Sequence, residues 1–191
     1  MLAGRLGRPI DQGQVDRLER FRQWLIEEAI PAGGIGPNEG RRLDSRHLID
    51  SLMFSRCLDD PARVWDLGSG VGLPGIPLAV IMPATRFLLV DRSERRVDLM
   101  KRAIRVLSLD NVITETADIN HLEGVADAIV SRASLPVVEL AGVADRHLES
   151  GGVAVVGGSW STEPHSPGWR TLDVGSDVLD RPVWILMMRR A

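Results

Sequence analysis

The residues most capable of chemistry lie in one stretch that joins an apolar run to a predicted helix. Asp66 ends the apolar run, and Gly68, Gly70 and Gly72 follow it at every second position. Glycine permits both the sharp turn and the close approach to a ligand that a strand–helix junction of this kind needs. A second acid, Asp91, ends the next predicted strand, where a carboxylate can accept hydrogen bonds from two ribose hydroxyls. The combination predicts a nucleotide-cofactor site.

Two classes of cofactor could use such a turn. Gly70, Gly72 and Gly75 fit the dinucleotide fingerprint GxGxxG, which alone is weak evidence. Asp66 lies two residues before the first glycine, where a carboxylate would repel a pyrophosphate and attract a cationic or amine-bearing ligand. The alternation Asp-x-Gly-x-Gly-x-Gly is also the pattern of enzymes that bind S-adenosylmethionine (SAM). We therefore favour SAM over NAD.

The composition of the 191 residues is that of an ordinary globular chain, with 44% hydrophobic residues, 26% charged residues and a net charge of −3. No overall field therefore draws the protein to nucleic acid. No apolar run reaches bilayer length and the first residues lack the apolar core of a signal peptide, so we expect a cytoplasmic protein without a membrane partner. The single cysteine, Cys57, is expected to be a buried thiol, and the histidines lack the spacing of metal ligands.

The elements that must position these residues alternate along most of the chain. Hydrophobic periodicity predicts two N-terminal helices, at 11–30 and 44–58, with Asp44 as the N-cap of the second. Strands are then predicted at 63–67, 86–90, 112–116, 127–131, 153–156, 169–174 and 183–188, and helices at 75–82, 93–107 and 135–148. Ser93 is the expected N-cap of the helix at 93–107, Gly151-Gly152 is expected to form a turn, and the last two strands are expected to form a hairpin.

This alternation predicts an α/β fold of the Rossmann-like type, with seven mostly parallel strands and helices on both faces. Residues 1–60 are expected to form an N-terminal helical extension, and residues 61–191 a SAM-binding domain, which the resemblance described next implies is a class I methyltransferase domain.

Three motifs on these elements carry a family resemblance. The first is His47-Leu48-Ile49-Asp50-Ser51-Leu52. The second is the stretch from Asp66 to Gly72 (hereafter the glycine turn) with its continuation Leu73-Pro74-Gly75-Ile76-Pro77. The third is Ser131-Arg132-Ala133, and Asp91 lies between the last two. Together they resemble the bacterial 16S ribosomal RNA guanine-N7 methyltransferases, first named glucose-inhibited division protein B. The resemblance covers about residues 43–156 and implies a SAM-dependent enzyme whose partner is ribosomal RNA or the small ribosomal subunit.

The resemblance also implies roles for individual residues. Gly68 and Leu73 would contact SAM, Asp91 would hold its ribose, and Ala117-Asp118 would face its adenine. Arg132 would lie beside both the cofactor and the reacting centre, as the catalytic residue. The expected cofactor site is therefore Asp66, Gly68, Gly70, Gly72, Leu73, Asp91, Ala117, Asp118 and Arg132. These positions follow the carboxyl ends of predicted strands, where open α/β sheets bind ligands.

The substrate half is defined less sharply by the sequence. Guanine N7 is an acceptor without a proton, so its methylation requires an in-line approach and no general base. Candidate substrate residues are Arg41, Arg42, Arg46, His47, Asp50 and Ser51, together with a basic rim formed by Arg92, Arg95, Arg96, Lys101, Arg102 and Arg105. Three stretches depart from the family's pattern: residues 37–42, Gly157-Gly158 and residues 159–167.

Several functions stay open at this point. The first is methylation of guanine N7 in small-subunit ribosomal RNA, and the second is methylation of another, small-molecule substrate by the same fold. The third is a SAM- or RNA-binding protein without turnover, and an NAD oxidoreductase comes last. Methylation of exocyclic amines or of cytosine carbon is disfavoured, because Ser131-Arg132-Ala133-Ser134 replaces the amine clamp and Cys57 lies in the wrong element.

Overall fold

The computed structural model describes residues 6, 8–132, 134–158, 165–173 and 184–191. Its seven strands are β1 (Arg63–Leu67), β2 (Arg86–Asp91), β3 (Val112–Thr116), β4 (Ala126–Arg132), β5 (Leu148–Gly157), β6 (Arg170–Asp173) and β7 (Trp184–Arg189). They form one sheet in the order β3-β2-β1-β4-β5-β7-β6. The neighbouring strands from β3 to β5 are parallel, and β7 is antiparallel to both β5 and β6. The predicted seven-stranded, mostly parallel sheet is confirmed.

The strand order reverses beside β1, whose neighbours are β2 and β4. In sheets of this kind the crevice at such a switch point, outside the carboxyl ends of the strands, is where ligands bind. Asp66, Asp91 and Arg132 lie at these carboxyl ends, in β1, β2 and β4 respectively. The topology therefore brings to one edge three residues that are far apart in the sequence.

The helices cover both faces of the sheet. They are α1 (Gln12–Trp24), α2 (Asp50–Met53), α3 (Gly75–Ile81), α4 (Glu94–Leu107) and α5 (Val137–His147). Alternate β1 residues enter two separate hydrophobic clusters: Val64 joins the cluster of α1, α3 and α4, and Trp65 joins that of α5. This alternation is the two-residue period of a strand buried on both faces. The first cluster also contains apolar residues from before residue 60, and the domain boundary at that residue stays a prediction.

The first predicted helix is confirmed, with a wider last turn. Asp11 begins α1 with a capping box, in which its Oδ1 accepts from the Gln14 amide at 2.8 Å and Gln14 Oε1 accepts from the Asp11 amide at 3.0 Å. The helix continues as a π-helical turn over Leu25–Ala29. Gln14 Nε2 also donates to the Val80 carbonyl at 3.2 Å, which ties α1 to α3.

Of the two predicted N-caps, Asp44 is wrong, and Ser93 is confirmed in its position although not in its hydrogen bond. The second helical region, residues 39–57 (hereafter the helical segment), begins before Asp44 and changes from 3₁₀ to π, then to α2, and back to 3₁₀. Asp44 lies within its π-helical turn and accepts from Arg22 Nε at 2.6 Å, so a tertiary ion pair takes the place of the cap. Ser93 does precede α4, but its side chain makes no capping hydrogen bond, and its amide donates to Asp91 Oδ1 at 2.9 Å.

β5 is longer than predicted, because the expected Gly151-Gly152 turn is an irregularity within the strand. Leu148 pairs with Ala126 and Val153 pairs with Ala128, so the register shifts between the two pairs. Gly151 has a φ of 78°, which glycine adopts without strain. β6 and β7 pair as the predicted hairpin strands, while Val174 and Val183 lie outside the described residues, as do residues 159–164 of the departing stretch.

Candidate active site

A cavity of about 470 Å³ lies at the carboxyl ends of the central strands. Its wall includes six of the predicted cofactor residues: Gly68, Gly70, Asp91, Ala117, Asp118 and Arg132. A cavity of about 540 Å³ beside Arg8 and Asp60 is larger, but none of the predicted site residues lines it. The structure thus gathers the predicted cofactor residues around one cavity, and their contacts with a cofactor stay a prediction.

The glycine turn bends over the end of β2. The amides of Gly68 and Ser69 donate to the Val90 carbonyl at 2.9 and 3.0 Å. Gly68, Gly70 and Gly72 have φ values of 71°, 62° and 94°, a region that side chains rarely adopt. A Cβ on Gly68 would lie 2.4 Å from Ser134 Oγ, whereas a Cβ on Gly70 would meet no atom within 4 Å. Gly68 is therefore required by the protein itself, and Gly70 opens onto the cavity that it lines.

Asp66 is a fully buried carboxylate beneath this turn. Its Oδ2 accepts from the Gly75 amide at the start of α3, at 2.8 Å, and its Oδ1 has no hydrogen-bond partner among the described residues. Burial raises the pKa of Asp66 to about 7, against the lowering effects of Gly75, Ser69 and Arg132. A buried acceptor without a donor costs stability, and a ligand ammonium would satisfy it. Asp66 is not among the residues that line the cavity, so its pairing with the amino group of SAM stays a prediction.

Asp91 is held in place by two backbone amides. Its Oδ2 accepts from the Gly70 amide at 3.0 Å and its Oδ1 from the Ser93 amide at 2.9 Å, and its exposed fraction is 4%. Each carboxylate oxygen has a second lone pair, so both can still accept from a hydroxyl. The fixed, buried carboxylate fits a ribose with two adjacent hydroxyl groups.

The residues after β3 form a firm wall of the cavity. The Ala117 amide donates to the Asp91 carbonyl at 3.3 Å. Asp118 begins the 3₁₀ turn Ile119–His121, and its Oδ1 accepts from the Asn120 amide at 2.9 Å and from Asn120 Nδ2 at 3.0 Å. These hydrogen bonds lower the pKa of Asp118, because they favour its ionised form.

Arg132 is the last residue of β4 and lines the cavity on its other side. Its Nη2 lies 3.3 Å from His47 Nδ1, and His47 Nε2 lies 3.1 Å from Glu39 Oε2. Arg132 also lowers the pKa of Asp66, because its positive charge stabilises the ionised carboxylate beneath the glycine turn. Sequence reasoning missed Glu39, because nothing local links it to a motif that lies far along the chain.

Two serines fasten the loop after β4 to the end of β1. The hydroxyls of Ser131 and Ser134 donate to the Leu67 carbonyl at 3.0 and 2.8 Å, and they lie 2.7 Å from each other. Sequence reasoning did not assign this role, although two hydroxyls that flank a strand end were the available signal. These two hydrogen bonds to the Leu67 carbonyl fix the backbone on either side of Arg132.

The other predicted substrate residues differ in their placement. Ser51 is fully buried and donates to the His47 carbonyl at 2.5 Å, and Asp50 is half-buried in α2. Arg41, Arg42 and Arg46 lie in the helical segment next to His47, where the structure describes their backbone only. The contact of all these residues with a substrate stays a prediction.

The basic rim is exposed along α4 and at the mouth of the cavity. Arg92 and Arg96 line the cavity, and with Arg95 they also line a neighbouring one of about 350 Å³. Arg95 donates to the Ala32 carbonyl, and Arg96 Nη1 lies 3.6 Å from Asp91 Oδ2. The rim therefore places cationic groups beside the predicted cofactor site.

The remaining chemical groups have structural surroundings. Burial raises the pKa of the Cys57 thiol to about 11, so it is not a thiolate nucleophile. His147 Nδ1 lies 3.0 Å from the Gly124 carbonyl and its ring packs on Trp65. Across the described ranges, no three His, Cys, Asp or Glu residues are grouped so as to hold a metal ion. In the same part of the chain, no helix is long and apolar enough to cross a bilayer.

Comparison with protein families gives one match that covers most of the chain. The family model described as GidB, rRNA small subunit methyltransferase G, matches residues 14–164. A protein named ribosomal RNA small subunit methyltransferase G from Chlorobaculum tepidum is 35% identical over 162 residues, which are 82% of this chain and 75% of that protein. Proteins of the same name are 36% identical in Kineococcus radiotolerans, over 81% of this chain, and 32% identical in Mycobacterium leprae, over 90% of it. The chain spans 63% and 76% of those two proteins.

Solved structures share the fold at lower sequence identity. A ribosomal protein L11 methylase from Lactobacillus delbrueckii subsp. bulgaricus has a TM-score of 0.56 at 15% identity, over 74% of this chain and 77% of that one. A precorrin-6y C5,15-methyltransferase from Geobacter metallireducens has a TM-score of 0.53 at 18% identity, over 73% and 86% of the two chains. The fold is that of class I SAM-dependent methyltransferases, as predicted.

Proposed function

The chain belongs to the rRNA small subunit methyltransferase G family of SAM-dependent enzymes, and from that premise we propose that it methylates N7 of a guanine in small-subunit ribosomal RNA. The observation that carries the proposal is the cavity in which the glycine turn and Asp91 face Arg132. One wall of this cavity fits the cofactor, and the opposite wall offers a guanidinium to a second molecule.

The cofactor wall would hold SAM through groups of both charge types. Asp66 pairs with the amino group, Asp91 accepts from the ribose hydroxyls, and Gly68 and Gly70 allow the close approach of the backbone. Leu73, the other predicted SAM contact, is buried in the hydrophobic cluster beside the turn and does not line the cavity, so its contact with SAM stays a prediction. When bound there, SAM supplies an electrophilic methyl group on a sulfonium.

The reaction at guanine N7 makes modest demands on the protein. N7 carries a lone pair and no proton, so no general base is required, and the rate depends on alignment with the methyl group. A guanidinium can donate to guanine O6, the acceptor beside N7. In this proposal Arg132 donates to O6, leaves the N7 lone pair free and fixes the angle at which N7 approaches.

The RNA would reach the cavity past several arginines. Arg92 and Arg96 stand at its mouth, and Arg41, Arg42 and Arg46 belong to the helical segment that carries His47. Phosphate contacts of this kind position an RNA without reading its sequence.

We also propose that residues 1–60 act as an extension of the SAM-binding domain, residues 61–191, on this substrate side. A substrate in the ribosome places the reaction in the bacterial cytoplasm.

Mapping of N7-methylguanine in ribosomal RNA from a strain that lacks the protein tests the proposal. We expect one N7-methylguanine of the small-subunit RNA to disappear, and to return when the purified chain and SAM are added to small subunits from that strain. An unchanged set of N7-methylguanines would refute the proposed substrate. A change confined to large-subunit or transfer RNA would refute it equally.

A further inference from the structure

The helical segment and the end of β4 meet in a row of three side chains. Glu39 Oε2 lies 3.1 Å from His47 Nε2, and His47 Nδ1 lies 3.3 Å from Arg132 Nη2. The side chains of His47 and Glu39 are 13% and 25% exposed, so water competes little for their hydrogen bonds. The row connects the helical segment to the wall of the cavity, which Arg132 lines.

The chemistry of the three groups fixes the direction of both hydrogen bonds. A guanidinium has donors only, so Arg132 must donate to a lone pair on His47 Nδ1. The ring proton then resides on Nε2, which donates to the carboxylate of Glu39. Neutral His47 therefore accepts on one side and donates on the other. It joins an anion to a cation without a charge of its own.

The backbone that carries His47 is firmly seated. The Ser51 hydroxyl is buried and donates to the His47 carbonyl. Phe54, further along the helical segment, packs on Gly157, where a Cβ would lie 2.5 Å from the Phe54 ring. Gly157 is the β5 residue that pairs with Arg132 in the sheet. The segment therefore rests on the same pair of strand ends that presents Arg132.

We propose that Glu39 and His47 are positioning residues that hold the Arg132 guanidinium at the reacting centre, an inference that rests on the proposed function. An arginine side chain is long and flexible, and hydrogen bonds select one of its many conformations. Without these hydrogen bonds the rate of methyl transfer falls, because the guanine base is aligned with the methyl group less often. The affinities for SAM and for the RNA stay nearly unchanged. The helical segment then acts on the reaction through Arg132.

Steady-state methyl transfer to small ribosomal subunits from a strain without this protein tests the role. His47→Phe keeps a planar ring but removes the acceptor, whereas His47→Gln supplies an amide oxygen in its place. We expect His47→Phe to lower kcat by about tenfold or more, with KM for the subunits and Kd for SAM within about twofold of wild type. His47→Gln should recover part of kcat, and Glu39→Gln should retain more activity than Glu39→Ala, since Gln still accepts from Nε2–H.

Two controls separate this role from a general loss of structure. His165→Phe and Glu123→Ala alter an exposed histidine and an exposed acid outside the row, and both variants should match wild type. In an Arg132→Ala background, His47→Phe should have no further effect on kcat, because its action passes through Arg132. Full additivity of the two losses would overturn the proposal. A raised KM for the subunits at unchanged kcat would overturn it as well, and would make His47 an RNA contact.

A spectroscopic measurement keeps the inference separate from the identity of the substrate. Nitrogen-15 spectra of the histidine rings in the free protein should show His47 protonated at Nε2 alone, and Arg132→Ala should shift its Nδ1 resonance. A proton on Nδ1 would overturn the inference at any level of activity. If the expected tautomer is found and the wild type methylates no small-subunit RNA, the proposed function fails and the contact between His47 and Arg132 is retained.

Discussion

The two walls of the cavity are built in different ways. The cofactor wall is built from the ends of neighbouring strands, and its hydrogen bonds span short distances in the sequence: Asp66 accepts from an amide nine residues away, and Asp91 from one 21 residues away. The substrate wall depends on Arg132, whose partner His47 is 85 residues away in another element. Cofactor binding should therefore tolerate damage to the helical segment, and methyl transfer should not. Substitutions on each wall test this difference.

The largest expected effect is that of Arg132→Ala. We expect kcat to fall by about a hundredfold, because misplacement of the base by about 1 Å is enough for such a loss. The affinity for SAM should change by less than about threefold, since the cofactor wall is intact. Single-turnover methyl transfer and calorimetry measure the two quantities. If only SAM affinity falls while kcat at saturation is retained, Arg132 belongs to the cofactor wall.

Asp91→Ala should do the reverse. Removal of the carboxylate takes away the acceptor for the ribose hydroxyls, so the binding free energy of SAM should weaken by about 1–3 kcal/mol. Calorimetry should show this loss, and should show no binding of NAD to the wild type. Asp110→Ala, at an exposed acid outside the cavity, is the matched control. An unchanged SAM affinity in Asp91→Ala would refute the ribose assignment.

The pH dependence of SAM binding should report on Asp66. Its raised pKa, about 7, means that the free protein holds a proton there below pH 7. Pairing with an ammonium requires the ionised form, so binding must release that proton and weakens as the pH falls. Between pH 7 and pH 6 the affinity should approach a tenfold loss per pH unit. Asp66→Asn should bind SAM more weakly at pH 8 and without this slope, and an identical slope in that variant would contradict the assignment.

A smaller difference should separate two glycines of the turn. Both have positive φ, but a Cβ would collide with Ser134 at Gly68 and would meet nothing at Gly70. We expect Gly68→Ala to lower the free energy of unfolding by about 1 kcal/mol or more beyond the loss in Gly70→Ala. Denaturant unfolding without cofactor measures the difference. Equal losses would show that the loop after β4 yields to the added methyl group.

The smallest effect concerns the approach of RNA. RNA binding weakens as salt rises, and the steepness is the slope of the logarithm of the binding constant against the logarithm of the salt concentration. Replacement of Arg41, Arg42 and Arg46 with Ala should reduce the magnitude of this slope by about 0.7–0.9 for each phosphate that the protein no longer neutralises. SAM affinity should be unchanged. Arg86→Ala, an exposed arginine at the start of β2, is the control for a general loss of charge. A salt slope equal to that of the wild type would exclude these arginines from the RNA path.

The same contrast explains which parts of the fold and of the candidate site can be predicted from the sequence. Each residue of the glycine turn and each of its acids stands at or next to a predicted strand end, so strand ends, glycine spacing and charge are enough to group them. The sheet is predicted by the alternation of strand-like and helix-like hydrophobic periods along the chain. The Glu39–His47–Arg132 row joins elements that only the tertiary fold brings together. Asp44 has the side chain of an N-cap, but the partner that decides its place, Arg22, belongs to another helix. Gly151-Gly152 resembles a turn, yet pairing with β4 keeps it inside a strand.

The destination of the methyl group is the decisive measurement for the proposed reaction. Purified protein is incubated with methyl-labelled SAM and small ribosomal subunits from a strain that lacks it, and the labelled RNA is cleaved chemically at N7-methylguanine. We expect label at N7 of one small-subunit guanine, and we expect Arg132→Ala to lose this label although the variant still binds SAM. Label on another atom or base, or no transfer to these subunits or to their free RNA, would contradict it.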